Sequence, residues 1–177
     1  MSVLKNRQFE EIRILKPETQ TEIETGTEAT HASWMREALI LADAAQQRGE
    51  VPVGALLVRD GKVLGRGFNQ PISQSDPTAH AEIQAIRAAA AQEGNYRLPN
   101  STLYVTVEPC SMCAGALVHA RISHLVFGAR EPRAGAVLST LQVLSNPNLN
   151  HRVDVTEGVL ADECGALISS FFRERRK

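Results

Sequence analysis

Leu103-Tyr104-Val105-Thr106-Val107-Glu108-Pro109-Cys110-Ser111-Met112-Cys113-Ala114-Gly115-Ala116-Leu117-Val118-His119-Ala120 holds the architecture of the chain in one passage. Leu103 to Val107 is β-branched and apolar, as a buried strand is. Glu108-Pro109 ends it, since proline has no N–H to give a ladder. Cys110 to Ala120 then reads as a helix. A strand running directly into a helix is the building unit of an α/β domain. Two thiols, Cys110 and Cys113, stand at the junction.

The flanks repeat this alternation. Upstream, Trp34, Ala38, Leu41, Ala42 and Ala45 recur at spacings of three and four, which predicts a helix from His31 that ends at Gly49. Val53 to Val58 and Val63 to Phe68 read as antiparallel strands joined at Asp60-Gly61, because a tight turn needs the positive φ that glycine tolerates. Asp76-Pro77-Thr78 looks like a helix start, with Asp76 as the capping candidate. The alanine-rich run Ala79 to Ala91 follows, stopped by Glu93-Gly94-Asn95. Downstream, Leu125 to Phe127 is a strand, Gly128 to Gly135 a loop and Val153 to Val155 a short final strand. Ala161 to Arg176 is a last helix, with Leu160, Cys164, Leu167, Ile168, Phe171 and Phe172 on its apolar side. The expected fold class is α/β, an α/β/α layered domain, with no internal repeat.

A length of 177 residues suits one domain with a single core. No run reaches the roughly 18 apolar residues that span a bilayer, and the N-terminus lacks the apolar stretch of a signal peptide. Three cysteines, two in a C-x-x-C, point to a reducing, cytoplasmic setting and to metal or redox use instead of a disulfide framework. Net charge is −1, divided as −2 over residues 1–30 and +1 over the rest, so no global field draws nucleic acid. Glu18 to Thr30 is mainly Thr and Glu, which makes residues 1–30 a solvated tail. A short amphipathic piece around Phe9, Ile12, Ile14 and Leu15 can instead dock on the domain, or the tail can reflect a start codon assigned too early.

The chemistry rests on His80, Glu82, Cys110 and Cys113. One imidazole and two thiols make three protein ligands. A structural zinc is closed by four, whereas a catalytic zinc keeps a place for water. The C-x-x-C at a helix start puts its sulfurs about one turn apart on nearly one face. Helix N-termini favour thiolate. Residues two apart in a helix differ by roughly 200°, so His80 and Glu82 cannot share a face. The metal must lie beyond or beside the helix end, with Glu82 approaching the open position from another side. Zinc lowers the pKa of bound water from 15.7 toward roughly 7, and a carboxylate beside it is the natural acid/base. Taken singly, His80 would be a cap or core residue, Glu82 a solvated helix residue, and the cysteines a redox pair. Cys164 offers one variant, a closed Cys₃His site, against its ordinary burial on an apolar helix face.

These motifs resemble the bacterial tRNA-specific adenosine deaminases, whose H-x-E…P-C-x-x-C signature is common to zinc nucleobase deaminases. The likeness covers nearly all of 33–177. It includes Val51-Pro52-Val53-Gly54-Ala55, Asp76 to Ile83, Glu108 to Ala116, Asn150-His151-Arg152-Val153, Leu160 to Cys164 and Phe171-Phe172-Arg173. The C-terminal run is much more specific to the tRNA branch than the zinc pair is. The resemblance implies residues 31–177 as a deaminase domain of three-layer α/β/α, cytidine-deaminase-like fold with a central five-stranded mixed sheet, forming a homodimer. It implies conversion of the wobble adenosine of a tRNA anticodon stem-loop to inosine with release of ammonia. It implies one Zn2+ per subunit on His80, Cys110 and Cys113, with Glu82 shuttling protons. By the same similarity Asn69, near Val53 and Ala81, holds the purine, although on its residues alone Asn69 is a turn residue before Pro71. Where the family commonly has Asp and then Lys after Gly-Ala-Arg, this chain has Glu131, Pro132 and Arg133, a longer carboxylate for a ribose hydroxyl.

Arg173, Arg175, Arg176 and Lys177 end the last helix. Cations there suit the helix dipole by themselves. With the resemblance they become candidates for RNA phosphates, since an anticodon loop offers the splayed bases that proteins read. Two other readings stand beside this one: a zinc deaminase of a free base or nucleoside, and a non-catalytic zinc-stabilised RNA-binding module, which would have no use for Glu82. His119, His124 and His151 read as structural or surface residues.

Overall fold

The computed structural model describes residues 22–176, with side chains from Thr30 onward. The Phe9 to Leu15 segment lies outside the described residues. The elements are α1 (Glu22–Gln47), β1 (Gly54–Arg59), β2 (Lys62–Phe68), the short α2 (Pro71–Gln74), α3 (Ala81–Glu93), β3 (Thr102–Val107), α4 (Ser111–His119), β4 (His124–Ala129), a 3-10 turn (Val143–Ser145), β5 (Asp154–Glu157) and α5 (Ala161–Glu174). The helix expected from His31 already begins at Glu22, inside the segment read as tail.

The sheet has five strands in the order β2-β1-β3-β4-β5. β1 is antiparallel to β2 and β3, while β3, β4 and β5 are mutually parallel. The expected mixed sheet is therefore present. Asp60 and Gly61 both have positive φ, 50° and 70°, the backbone of a type I′ hairpin turn.

Alternation along the strands explains the layers. Ala55, Leu57, Leu103, Val105, Leu125 and Phe127 point to one face, where they bury against Ala81, Ala85 and Ala89 of α3 and Ala114, Leu117 and Val118 of α4. Leu56, Val58, Tyr104 and Val126 point to the other, against Met35 and Ala38 of α1 and Cys164 of α5. Both faces are covered, so the strands read as near-continuous apolar runs.

Helix α3 approaches β2 unusually closely. A Cβ at Gly67 would lie 2.2 Å from the Ala81 carbonyl oxygen, so only glycine allows the first turn of α3 to rest there. His124 and His151 serve structure as expected: Nε2 of His124 bonds Thr156 Oγ1 at 2.9 Å, and Nε2 of His151 donates to the Ile122 carbonyl at 2.7 Å. No helix among the described residues is long and apolar enough to cross a membrane.

Candidate metal centre and its surroundings

The ends of α3 and α4 create the site. His80 and Cys110 are the N-cap residues of these helices, both in extended backbone, with φ −73° at each. Sequence reading placed both in a first helical turn and gave the α3 cap to Asp76. The Asp76 carboxylate instead accepts the Thr78 N–H at 2.8 Å and its hydroxyl at 2.7 Å, closing a turn of its own. The Gln70 N–H donates to the Ala79 carbonyl at 2.9 Å, which keeps the chain extended up to His80. Neither His80 nor Cys110 uses its side chain as a cap. Both side chains are therefore available to each other.

His80 Nδ1 lies 3.7 Å from Cys110 Sγ and 3.7 Å from Cys113 Sγ. The three donor atoms lie within 4.8 Å of one another. Tetrahedral zinc with ordinary Zn–S and Zn–N bonds requires S···N separations of about 3.6 Å. The donor set and its spacing fit such an ion. Cys164 takes no part. It sits across the sheet in the α1–α5 layer, 1% exposed, with its thiol pushed up to about 12 by burial. Among the described residues three protein donors, not four, converge.

The three donor groups perturb one another strongly. The Cys113 hydrogen bond, then the one from His80, hold Cys110 well below the usual thiol range, at about 3. Its partner Cys113 is pushed up by that same pairing and by burial. The His80 imidazole is raised by its bond to Cys110 and by the Glu82 charge. Glu82, second residue of α3, is 4% exposed and lies beside Cys113. Burial pushes its carboxyl up. Because His80 is the N-cap and Glu82 lies within the helix, the roughly 200° separation of two helical residues does not apply to this pair.

Asn69, Val53 and Ala81 are brought together. Asn69 is 8% exposed, and its Oδ1 accepts the Ala81 N–H at 2.9 Å. That bond fixes the amide orientation and leaves the NH₂ as a donor. The Asn69 N–H donates to the Val53 carbonyl at 3.1 Å. The expected purine-holding trio is thus one hydrogen-bonded unit at the start of α3.

Two segments linked by backbone hydrogen bonds to the residues before His80 and Cys110 each hang on a buried carboxylate that sequence reading missed. Glu50, 1% exposed, accepts the backbone N–H of Ile72 at 3.3 Å and of Ser73 at 2.7 Å, which caps α2. Glu108, 3% exposed, receives donors from the loop that contains Glu131. Glu131 is half-buried, and its Oε1 accepts the Arg133 N–H at 2.9 Å. The available signal for Glu108 was an acidic residue at the end of an apolar strand, with no cation near it in sequence.

The C-terminal arginines divide. Arg173, Arg175 and Arg176 are all exposed. Arg175 is engaged: its Nη2 donates to the Gly49 carbonyl, and its guanidinium lies 4.3 Å from the centre of the Phe171 ring. It also contributes charge near Glu50. Arg48, not singled out from sequence, places its guanidinium 4.5 Å over the Phe68 ring, immediately before Asn69.

The MafB19-like deaminase family model matches residues 29–176. A tRNA-specific adenosine deaminase of Haemophilus influenzae is 55% identical over 144 residues, covering 81% of this chain and 83% of the relative. A solved structure from work on A-to-I editing by tRNA:A34 deaminases at the wobble position of transfer RNA is 45% identical, with TM-score 0.74, and covers 76% of this chain and 98% of that one. A guanine deaminase from Bacillus subtilis is 38% identical over a smaller share, 56% of this chain and 64% of that one, with TM-score 0.54. Motif, fold and relatives agree: the chain belongs to the tRNA-specific adenosine deaminases, within a cytidine-deaminase-like fold.

Proposed function

We propose that this protein hydrolytically deaminates the wobble adenosine of a tRNA anticodon loop, giving inosine and ammonia. The observation that carries this reading is the convergence of His80 Nδ1, Cys110 Sγ and Cys113 Sγ, with Glu82 buried beside them.

His80, Cys110 and Cys113 would hold one zinc per subunit, and its chemistry when bound is to acidify a water in the position the protein leaves open. Glu82 takes a proton from the attacking water on its carboxylate. It passes that proton to the ring nitrogen next to the reacting carbon, then takes the remaining proton of the added hydroxyl and hands it to the departing amine, so that the C–N bond breaks as the carbonyl forms. Adenine and water are consumed, and hypoxanthine and ammonia are produced. The Asn69 NH₂ donates to a purine acceptor while Val53 and Ala81 line the base. Glu131 meets the ribose side of the mouth. Arg173 and Arg176 neutralise phosphates. The base must leave its stack to reach a buried centre, which single-stranded loops allow at low cost. A homodimer acting on tRNA in the cytoplasm belongs to the same reading.

The test is incubation of the purified zinc protein with an anticodon stem-loop carrying a wobble adenosine, beside free adenosine, cytidine and guanine. Mass spectrometry should find inosine in the stem-loop and leave the free compounds largely intact. Turnover of a free base with an untouched stem-loop would assign the centre to small-molecule deamination. Absence of turnover on all four would leave a non-catalytic zinc module.

A further inference from the structure

We propose that Glu108 is a positioning residue for the substrate mouth: its buried carboxylate shapes the segment from Glu131 to Ser139 and so sets where Glu131 stands relative to the metal-binding thiols. This rests on the reading that the mouth receives an anticodon loop.

Five donors converge on this one side chain. Glu108 Oε1 accepts the backbone N–H groups of Val137 at 3.1 Å, Leu138 at 2.7 Å and Ser139 at 2.9 Å. Oε2 accepts the Glu131 N–H at 3.1 Å and the Ser139 hydroxyl. No ion pair holds Glu108 among the described residues. An anion is costly to bury unless hydrogen bonds replace its water. Here consecutive amides do so, as in backbone nests that bind anions. Only an ionised carboxylate accepts at every position. A glutamine would turn an NH₂ toward N–H donors.

The loop so fixed reaches the metal motif. The Ala136 N–H donates to the Pro109 carbonyl at 2.8 Å, one residue before Cys110. Gly135 leaves room for this packing, since a Cβ there would lie 2.5 Å from Glu108 Oε2 and 2.5 Å from the Glu131 carbonyl. The Glu108 backbone has a separate task. Its N–H donates to the Ala129 carbonyl at 2.8 Å, continuing the β3–β4 pairing into Pro109-Cys110. The main chain therefore supports the thiols and the side chain supports the loop. The two roles separate into kcat and KM.

The experiment is steady-state kinetics of the zinc enzyme on the wobble-adenosine stem-loop, with zinc content and Tm, for wild type, Glu108→Gln, Gly135→Ala and Ser139→Ala. The expected result is a KM raised about tenfold in Glu108→Gln and Gly135→Ala and about threefold in Ser139→Ala. Zinc content should be unchanged, and kcat should stay within about twofold. A KM unchanged in all variants would overturn the proposal. So would a loss of kcat and zinc without a change in KM, which would make Glu108 a support of the metal motif. If Glu108→Gln does not fold, the other two variants decide by the same readout. Hydrogen exchange separates this from the functional reading. Faster exchange at Val137, Leu138 and Ser139 in Glu108→Gln is expected whatever the substrate, and unchanged protection there refutes the loop role. Failure of the wild type to form inosine refutes the functional reading alone.

Discussion

Glu82 shows what a single side chain can decide. It is buried beside Cys113 with its carboxyl pushed up, yet it belongs to no ligand set. Glu82→Gln should keep full zinc content while single-turnover deamination falls about 10²- to 10⁴-fold, the usual worth of a positioned acid/base. Retained turnover would remove its role. Glu50 poses a different question. Burial raises its pKa, but the amides of Ser73 and Ile72, the Ser73 hydroxyl and the Arg175 charge outweigh this and lower it below the ordinary carboxylate value. A depressed native pKa stabilises the fold above the unfolded-state value, and that stabilisation is lost as pH falls through the native one. Glu50→Gln should therefore cost about 1.5–3 kcal/mol at pH 7. Its Tm should also fall less than that of wild type on acidification below about pH 4.5. Parallel acid profiles for the two proteins would contradict this.

Helix starts are where sequence and structure part. Periodicity found α3 and α4, and the oxygen-bearing residue upstream made Asp76 the natural cap. The cap positions are held instead by His80 and Cys110, because Asp76 is occupied with Thr78 and Gln70 anchors Ala79. The capping preference is local, whereas this outcome depends on a contact between segments. The Asp60-Gly61 hairpin, which is wholly local, was legible. Element contacts also set tolerance to change. Gly67→Ala would drive a methyl into the Ala81 carbonyl and displace the first turn of α3. Zinc content and Tm should fall together in that variant, the Tm by an amount matching a loss of about 1–3 kcal/mol. Zinc content at the wild-type level in a destabilised protein would show that the α3 start is held by other contacts.

Across the whole molecule, three layers bring helix ends from separate parts of the chain to one side of the sheet. The clustering of His80, Cys110 and Cys113 was legible because metal chemistry restricts residue type and spacing. Glu50 and Glu108 were not, because their partners are mostly backbone amides, which any sequence supplies. The arginines at the end of α5 read as one charge run, but Arg175 is tied to Gly49 and Phe171. Replacing Arg173 and Arg176 together with alanine should reduce the salt slope of stem-loop binding by roughly 1.4 and leave Tm unchanged. Arg175→Ala should lower Tm as well. An unchanged slope would take Arg173 and Arg176 out of the interface.

X-ray absorption at the zinc edge of the active, purified protein tests the central claim most directly. Two sulfurs, one nitrogen and one light atom not supplied by the protein are expected around one zinc per chain. Four protein donors, or full activity without zinc, would contradict it.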